Sequence, residues 1–444
     1  VLDLLITNAR VVNEGQVQTL DVGIRDGRIE RLASHIDQPA RETLDANGRH
    51  LLPGMMDDQV HFREPGLTHK ADMASESAAA VAGGITSFME MPNVRPPTLD
   101  AATLEAKYEL ARERAWANYA FYHGASNDNL EAIKALDPST TCGIKIFMGA
   151  STGNMLVDAP QTLESIFANA SIPVVTHCED TPMVQAREQA YRERYGEDLP
   201  FRLHGEIRSR EACLKSSGMA VDLARRHGTR LHVLHLTTAE EMALFEPGPV
   251  ENKQITAEAC VHHLWFSDED YDHLGSFIKC NPAIKTPADR DAIRAAVNEG
   301  RIDIVATDHA PHTLSEKNNS YFAAPSGMPL VQHALLSLLE QVHQGNFTLE
   351  TVVEKTSHNV ARRFEVADRG FIREGCFADL VLVDMTRDTH VERESLLYKC
   401  GWSPFEGTTF RARIEATFVN GQRVWDGQQL VGVPAGQRLT YRRS

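Results

Sequence analysis

The sequence predicts an α/β protein: a (β/α)8 TIM-type barrel with a small β-sandwich-like satellite domain formed from both termini. Eight short β-rich runs lie near 54–61, 85–90, 118–123, 143–147, 172–177, 230–235, 254–259 and 302–307, each followed by a helix-length segment or a long loop plus helix. That alternation is expected of parallel strands joined by crossover helices, and eight of them suit a closed barrel. The two ends read differently. Asp26-Gly27 separates Val22-Gly23-Ile24 from Ile29-Glu30-Arg31-Leu32, and Asn420-Gly421 follows the strand-like Ile414–Val419; both dipeptides are tight-hairpin signals.

In chain order, residues 1–52 are expected to supply the first part of the satellite domain, 53–364 the barrel and 365–444 the returning part. Pro53-Gly54 marks the first boundary, and Ala378-Asp379-Leu380-Val381-Leu382-Val383 opens the returning strands. The stretch 178–206, rich in Arg and Glu, is expected to form an insertion over one mouth of the barrel. The sequence shows no internal repeat and no low-complexity tract.

With 42% hydrophobic and 24% charged residues, the 444-residue chain has the balance of a globular protein able to bury a large core. Its net charge of −16 is spread without a basic tract, which argues against a nucleic-acid or anionic-membrane surface. An anionic small-molecule substrate would therefore need a local cationic pocket. The seven cysteines are scattered with no CxxC pair, as expected in a reducing cytoplasm. No apolar run approaches a membrane span, and the opening Val1–Thr7 lacks the pattern of a signal peptide, so a soluble cytoplasmic protein is expected.

The chemistry-bearing residues fall where the runs end. His61 closes the first run, Lys145 lies in the fourth, His177 ends the fifth, His235 ends the sixth and Asp308 follows the eighth. In a barrel these strand ends share the face on which active sites are built. Imidazole nitrogens and a carboxylate on one rim suit zinc with an open position. Lys145 sits between apolar residues, and burial makes such an amine easier to deprotonate.

Pro53-Gly54-Met55-Met56-Asp57-Asp58-Gln59-Val60-His61-Phe62-Arg63-Glu64-Pro65-Gly66 resembles the signature of the dihydroorotases within the amidohydrolase superfamily. Met91-Pro92-Asn93, the strand carrying Lys145, Thr176-His177-Cys178-Glu179, His232-Val233-Leu234-His235, Asn281-Pro282 and Ala306-Thr307-Asp308-His309-Ala310-Pro311-His312 follow that family in order and spacing. Gly375–Val383 resembles its returning β segment, so the likeness spans the chain.

This resemblance implies a zinc-dependent enzyme that opens and closes a cyclic amide, interconverting dihydroorotate and N-carbamoyl-L-aspartate in pyrimidine biosynthesis. It implies His61, Lys145 as a carbamate, His177, His235 and Asp308 as metal ligands, with Asp308 also the general base for metal-activated water. Arg63, Asn93 and His312 would take the substrate carboxylate, while Asn281 and the backbone around Gly327 would reach the ring amides. One departure stands out: Gln59 occupies the place of a usual ligand histidine and would be a weaker ligand through its amide oxygen, so one tight ion and a second ion, weaker or absent, are expected. Allantoinase, hydantoinase or dihydropyrimidinase, and an inactive dihydroorotase-like subunit are the alternative readings; Arg63 argues against the first three. A homodimer is expected. Most of the remaining histidines, including His204, His232, His262 and His263, are expected to pack or to face solvent, with the side of the barrel wall on which His232 lies left open, and His309 is expected to support the site from behind its ligands.

Overall fold

The computed structural model describes residues 1–149 and 155–443. All eight expected runs form strands: β1 Met55–Val60, β2 Ile85–Glu90, β3 Asn118–Phe121 with its continuation His123–Gly124, β4 Ile144–Phe147, β5 Val174–His177, β6 Leu231–Val233, β7 Ile255–Cys260 and β8 Ile304–Ala306. Neighbours pair in parallel from β1 to β3 and from the end of β3 to β8. The ring closes where the His61 amide donates to the His309 carbonyl at 2.7 Å beside a parallel bridge between Val60 and His309.

Parallel strands covered by helices are buried on both faces, so their residues read as near-continuous apolar runs. That makes β1 unusual. All six of its residues are buried, yet Asp57, Asp58 and Gln59 are polar. Some helices between strands begin on side-chain caps, such as Asp72 accepting from the Ser75 amide and Thr286 from that of Asp289. Each such cap satisfies a helix-end donor that would otherwise be orphaned. Between β5 and β6, the expected insertion forms a helix over Thr181–Tyr195 followed by short turns to Ile207.

Both chain ends contribute to one eight-stranded sheet. Its central strand, His50–Pro53, runs parallel to Leu2–Asn13 on one side and antiparallel to Leu380–Asp384 on the other. Both hairpins appear, with Arg25 opposite Arg28 and Val419 opposite Gln422. Leu4, Ile6, Val22, Ile24, Leu51, Leu380 and Phe418 form its apolar core. No helix among the described residues is long and apolar enough to cross a membrane, and no disulfide joins the cysteines.

His333 lies among Tyr398, Phe405 and Phe410, with Nδ1 buried and unbonded. Burial lowers its pKa from the usual 6.5 to about 3. Between those values the folded state binds fewer protons than the unfolded chain, so this contribution to stability is full above pH 6.5 and is lost as the pH falls toward 3. Unfolding free energy should therefore decline on acidification from about pH 7 to 5. In urea titrations across that range, His333→Gln should remove up to about 1.4 kcal/mol per pH unit of slope; an unaltered slope would contradict the assignment.

Candidate active site

At the C-terminal end of the strands, one pocket gathers Gln59, His61, Lys145, His177, His235 and Asp308. His177 Nδ1 stands 3.0 Å from His235 Nε2. Two ligand nitrogens on one ion with bonds of about 2.0–2.1 Å would be spaced about 3 Å apart. The other nitrogen of His177 meets Glu179 Oε1 at 2.8 Å, and Arg208 donates to the same oxygen at 2.8 Å. Burial alone would raise the Glu179 pKa, but Arg208 and His177 hold it down to about 2. A carboxylate on the far nitrogen is the usual device for orienting a ligating imidazole. Burial lowers the pKa of both His177 and His235, keeping the rings in the neutral form that binds metal. His235 Nδ1 is buried with no hydrogen-bond partner.

The opposite side of the pocket is built on Asp308. Its Oδ1 accepts from Gln59 Nε2 at 3.2 Å and lies 3.1 Å from His61 Nε2, while His61 Nδ1 meets Asn93 Oδ1 at 2.9 Å. Gln59 turns its oxygen the other way, to within 3.7 Å of the Cys260 sulfur. In this orientation Gln59 holds the acid and does not offer its oxygen to the pocket. Lys145 is fully buried, its ammonium 4.5 Å from the Phe147 ring centre, and burial brings its pKa down to about 8.

Three residues around this pocket have left-handed backbone: Arg63 at φ 71°, His235 at φ 38° and Asp308 at φ 53°. Such conformations cost non-glycine residues about 1–3 kcal/mol each and persist where packing enforces them. Gly327, at φ 136°, forms part of the pocket wall because a Cβ there would meet Ala310 O at 2.4 Å and His312 Nε2 at 2.9 Å.

Arg63, Asn93 and His312 face an adjoining hollow with Lys70 and Arg95. Arg63 is only 3% exposed. Its Nε donates to Pro311 O at 3.0 Å, and its Nη2 lies 3.2 Å from His312 Nε2. Lys70 donates to His312 Nδ1 at 2.8 Å, which leaves the Nε2 proton for Ser326 O, also at 2.8 Å. The ring therefore offers Arg63 no acceptor. The adjacent Glu64 pairs with Arg114 instead, and no carboxylate among the described residues lies within ion-pair distance of Arg63. Burial lowers the guanidinium pKa to about 10, still charged at neutral pH.

The pattern of the Amidohydrolase family matches residues 50–424. The chain belongs to the amidohydrolase family. Its relatives carry more than one activity name. An allantoinase of Rubrobacter xylanophilus is 33% identical over 99% of this chain and 98% of its own length, and a dihydroorotase of Halobacterium salinarum is 34% identical over 94% and 95%. The solved L-hydantoinase (dihydropyrimidinase) of Arthrobacter aurescens superposes with a TM-score of 0.93 at 25% identity, covering 99% of this chain and 100% of that one. This amidohydrolase is accordingly a metal-dependent cyclic amidohydrolase built on a TIM barrel with a β-rich domain.

All the residues expected at the amidohydrolase site lie in one of these two hollows, with Asn281 and Gly327 on the pocket side. The Asn281 side chain is engaged, accepting from Ser326 Oγ at 3.2 Å. One expectation needs correction, and one question left open by the sequence is answered. His262, expected to pack or face solvent, borders the pocket and clusters with His263 and Cys280. It ends up there because it sits in the turn of helix directly after β7. His232 faces the barrel interior, against Asp58 and Glu258. Sequence reasoning also missed Lys70, which has no motif of its own, and Glu179, which the two-residue strand period from His177 could have flagged.

Proposed function

We propose that this amidohydrolase reversibly hydrolyses dihydroorotate to N-carbamoyl-L-aspartate. The observation that carries the reading is Arg63: a buried, charged guanidinium with no carboxylate among the described residues in ion-pair distance, in the hollow next to the cluster of candidate ligands. A substrate carboxylate would supply the missing acceptor through paired hydrogen bonds. Neutral ureide rings offer no such group.

The donor set fits a divalent ion, since the paired imidazoles of His177 and His235 have ligand spacing. His177 and His235, with Lys145 as a carbamate, would hold a tightly bound zinc ion, and His61 and Asp308 would hold a weaker one. Zinc supplies Lewis acidity there, polarising a carbonyl and bringing the pKa of water to about 7. Asp308 takes the proton of the attacking water. Its Oδ1 is held by His61 and Gln59, leaving Oδ2 to accept that proton and pass it to the departing ring nitrogen. Arg63, with Asn93 and His312, holds the substrate so that the ring amide rather than the carboxylate meets Asp308.

The test is turnover of dihydroorotate and carbamoyl aspartate by zinc- and bicarbonate-supplemented protein, against allantoin and hydantoin. Selective turnover of the carboxylated pair supports the reading. Preference for a neutral ring would reject it, and no turnover by folded, metal-loaded protein would favour an inactive subunit.

Gln59→His would put an imidazole where an amide now turns its oxygen away. The variant should retain the weaker ion roughly tenfold longer against a chelator, read as metal content over time. Equal loss from both proteins would show that Gln59 does not set that affinity.

A further inference from the structure

Asp58 in β1, His232 in β6 and Glu258 in β7 meet inside the barrel, and all three are fully buried. None of them lines the candidate catalytic pocket. His232 Nε2 stands 3.2 Å from Asp58 Oδ2 and 3.5 Å from Glu258 Oε2. Neither of those contacts has hydrogen-bond geometry: both Asp58 oxygens, His232 Nε2 and Glu258 Oε2 are buried without a hydrogen-bond partner. Among the described residues, no Lys or Arg forms an ion pair with either carboxylate.

The tautomer of His232 sharpens the problem. Its Nδ1 lies 2.8 Å from Thr256 Oγ1, and that hydroxyl points to the Leu231 carbonyl at 3.4 Å. With the proton on Nδ1, the Thr256 hydroxyl accepts it and turns to Leu231. In that tautomer the lone pair of Nε2 is aimed at two carboxylates, and three acceptors converge. Burying such groups uncompensated is prohibitive. A proton shared along one edge would satisfy one pair and leave the third acceptor facing it.

We propose that Asp58, His232 and Glu258 hold a zinc ion in the barrel core, separate from the catalytic metals. Ligand atoms on an ion with bonds of about 2.0–2.2 Å at tetrahedral or right angles are about 3.0–3.5 Å apart, which matches both measured edges. One imidazole and two carboxylates form a mixed nitrogen–oxygen set acceptable to zinc, and Thr256 on Nδ1 is the expected orienting partner. The ion ties β1 to β6 and β7. Glu258 Oε1 also accepts from the His235 amide at 3.1 Å and from the Cys260 thiol at 3.4 Å, so the same strut holds the left-handed turn that presents His235.

The site is tested on the 444-residue protein purified without chelator, independently of which ring it hydrolyses. Diffraction data collected above and below the zinc absorption edge should show an anomalous peak between these three side chains, distinct from any in the pocket. Asp58→Asn should lose one equivalent of zinc by elemental analysis while keeping its circular dichroism. An empty core in crystals with an occupied pocket would overturn the proposal and leave a shared-proton triad. Unchanged zinc content in folded Asp58→Asn would overturn it too, and if that variant does not fold, the anomalous map of the unaltered protein decides.

Discussion

Asp308→Asn lowers turnover of dihydroorotate by about 10³-fold, within the range for loss of a positioned general base. The replacement is isosteric, and its amide can still meet His61 and Gln59, so the fold and unfolding midpoint should stay near those of the parent. What disappears is the group that accepts a proton from water and returns it to nitrogen. Because that role belongs to the transition state, kcat should fall while KM changes little. A steady-state assay in both directions reads this, and hydrolysis and cyclisation should fall by the same factor because they share one path. Activity within about tenfold of the parent would assign the base elsewhere.

Arg63→Ala lowers kcat/KM for dihydroorotate by about 10²–10³-fold, the usual scale for deleting one side of a buried, hydrogen-bonded charge pair. The effect should depend on substrate. A neutral hydantoin has no carboxylate to lose, so its turnover should shift much less and the ratio between the two substrates should collapse. An equal loss on both would mean that Arg63 acts by holding Pro311 and the neighbouring loop, to which its Nε donates.

The barrel was legible because strands buried on both faces announce themselves as apolar runs, and His61, His177, His235 and Asp308 were legible because they sit where those runs stop. The core triad was not. A two-residue alternation puts neighbours on opposite faces, but β1 changes register against β2 between Asp57 and Val60. Asp57 bonds Thr307, just past the end of the adjoining strand, whereas Asp58 meets His232 across the interior. From the sequence alone, neither the shift nor the side on which His232 lies can be read. Lys70 was hidden for another reason: its contact with His312 joins residues 242 positions apart, and only the closed barrel brings them together. That Arg63 meets no carboxylate also depends on the fold, since it rests on Arg114 taking the neighbouring Glu64.

The strand His50–Pro53 lies between Leu2–Asn13 and Leu380–Asp384, and this sets an order of events during biosynthesis. Ribosomes deliver the chain from its N-terminus at about 5–20 residues per second, so Leu51 and its neighbours wait through the synthesis of the entire barrel before their second partner emerges. For that interval they present an open strand edge, the kind of surface that pairs with other chains. Completion of the sheet is thus a late, long-range step, and the nascent protein is most vulnerable to aggregation before residues 380–384 arrive.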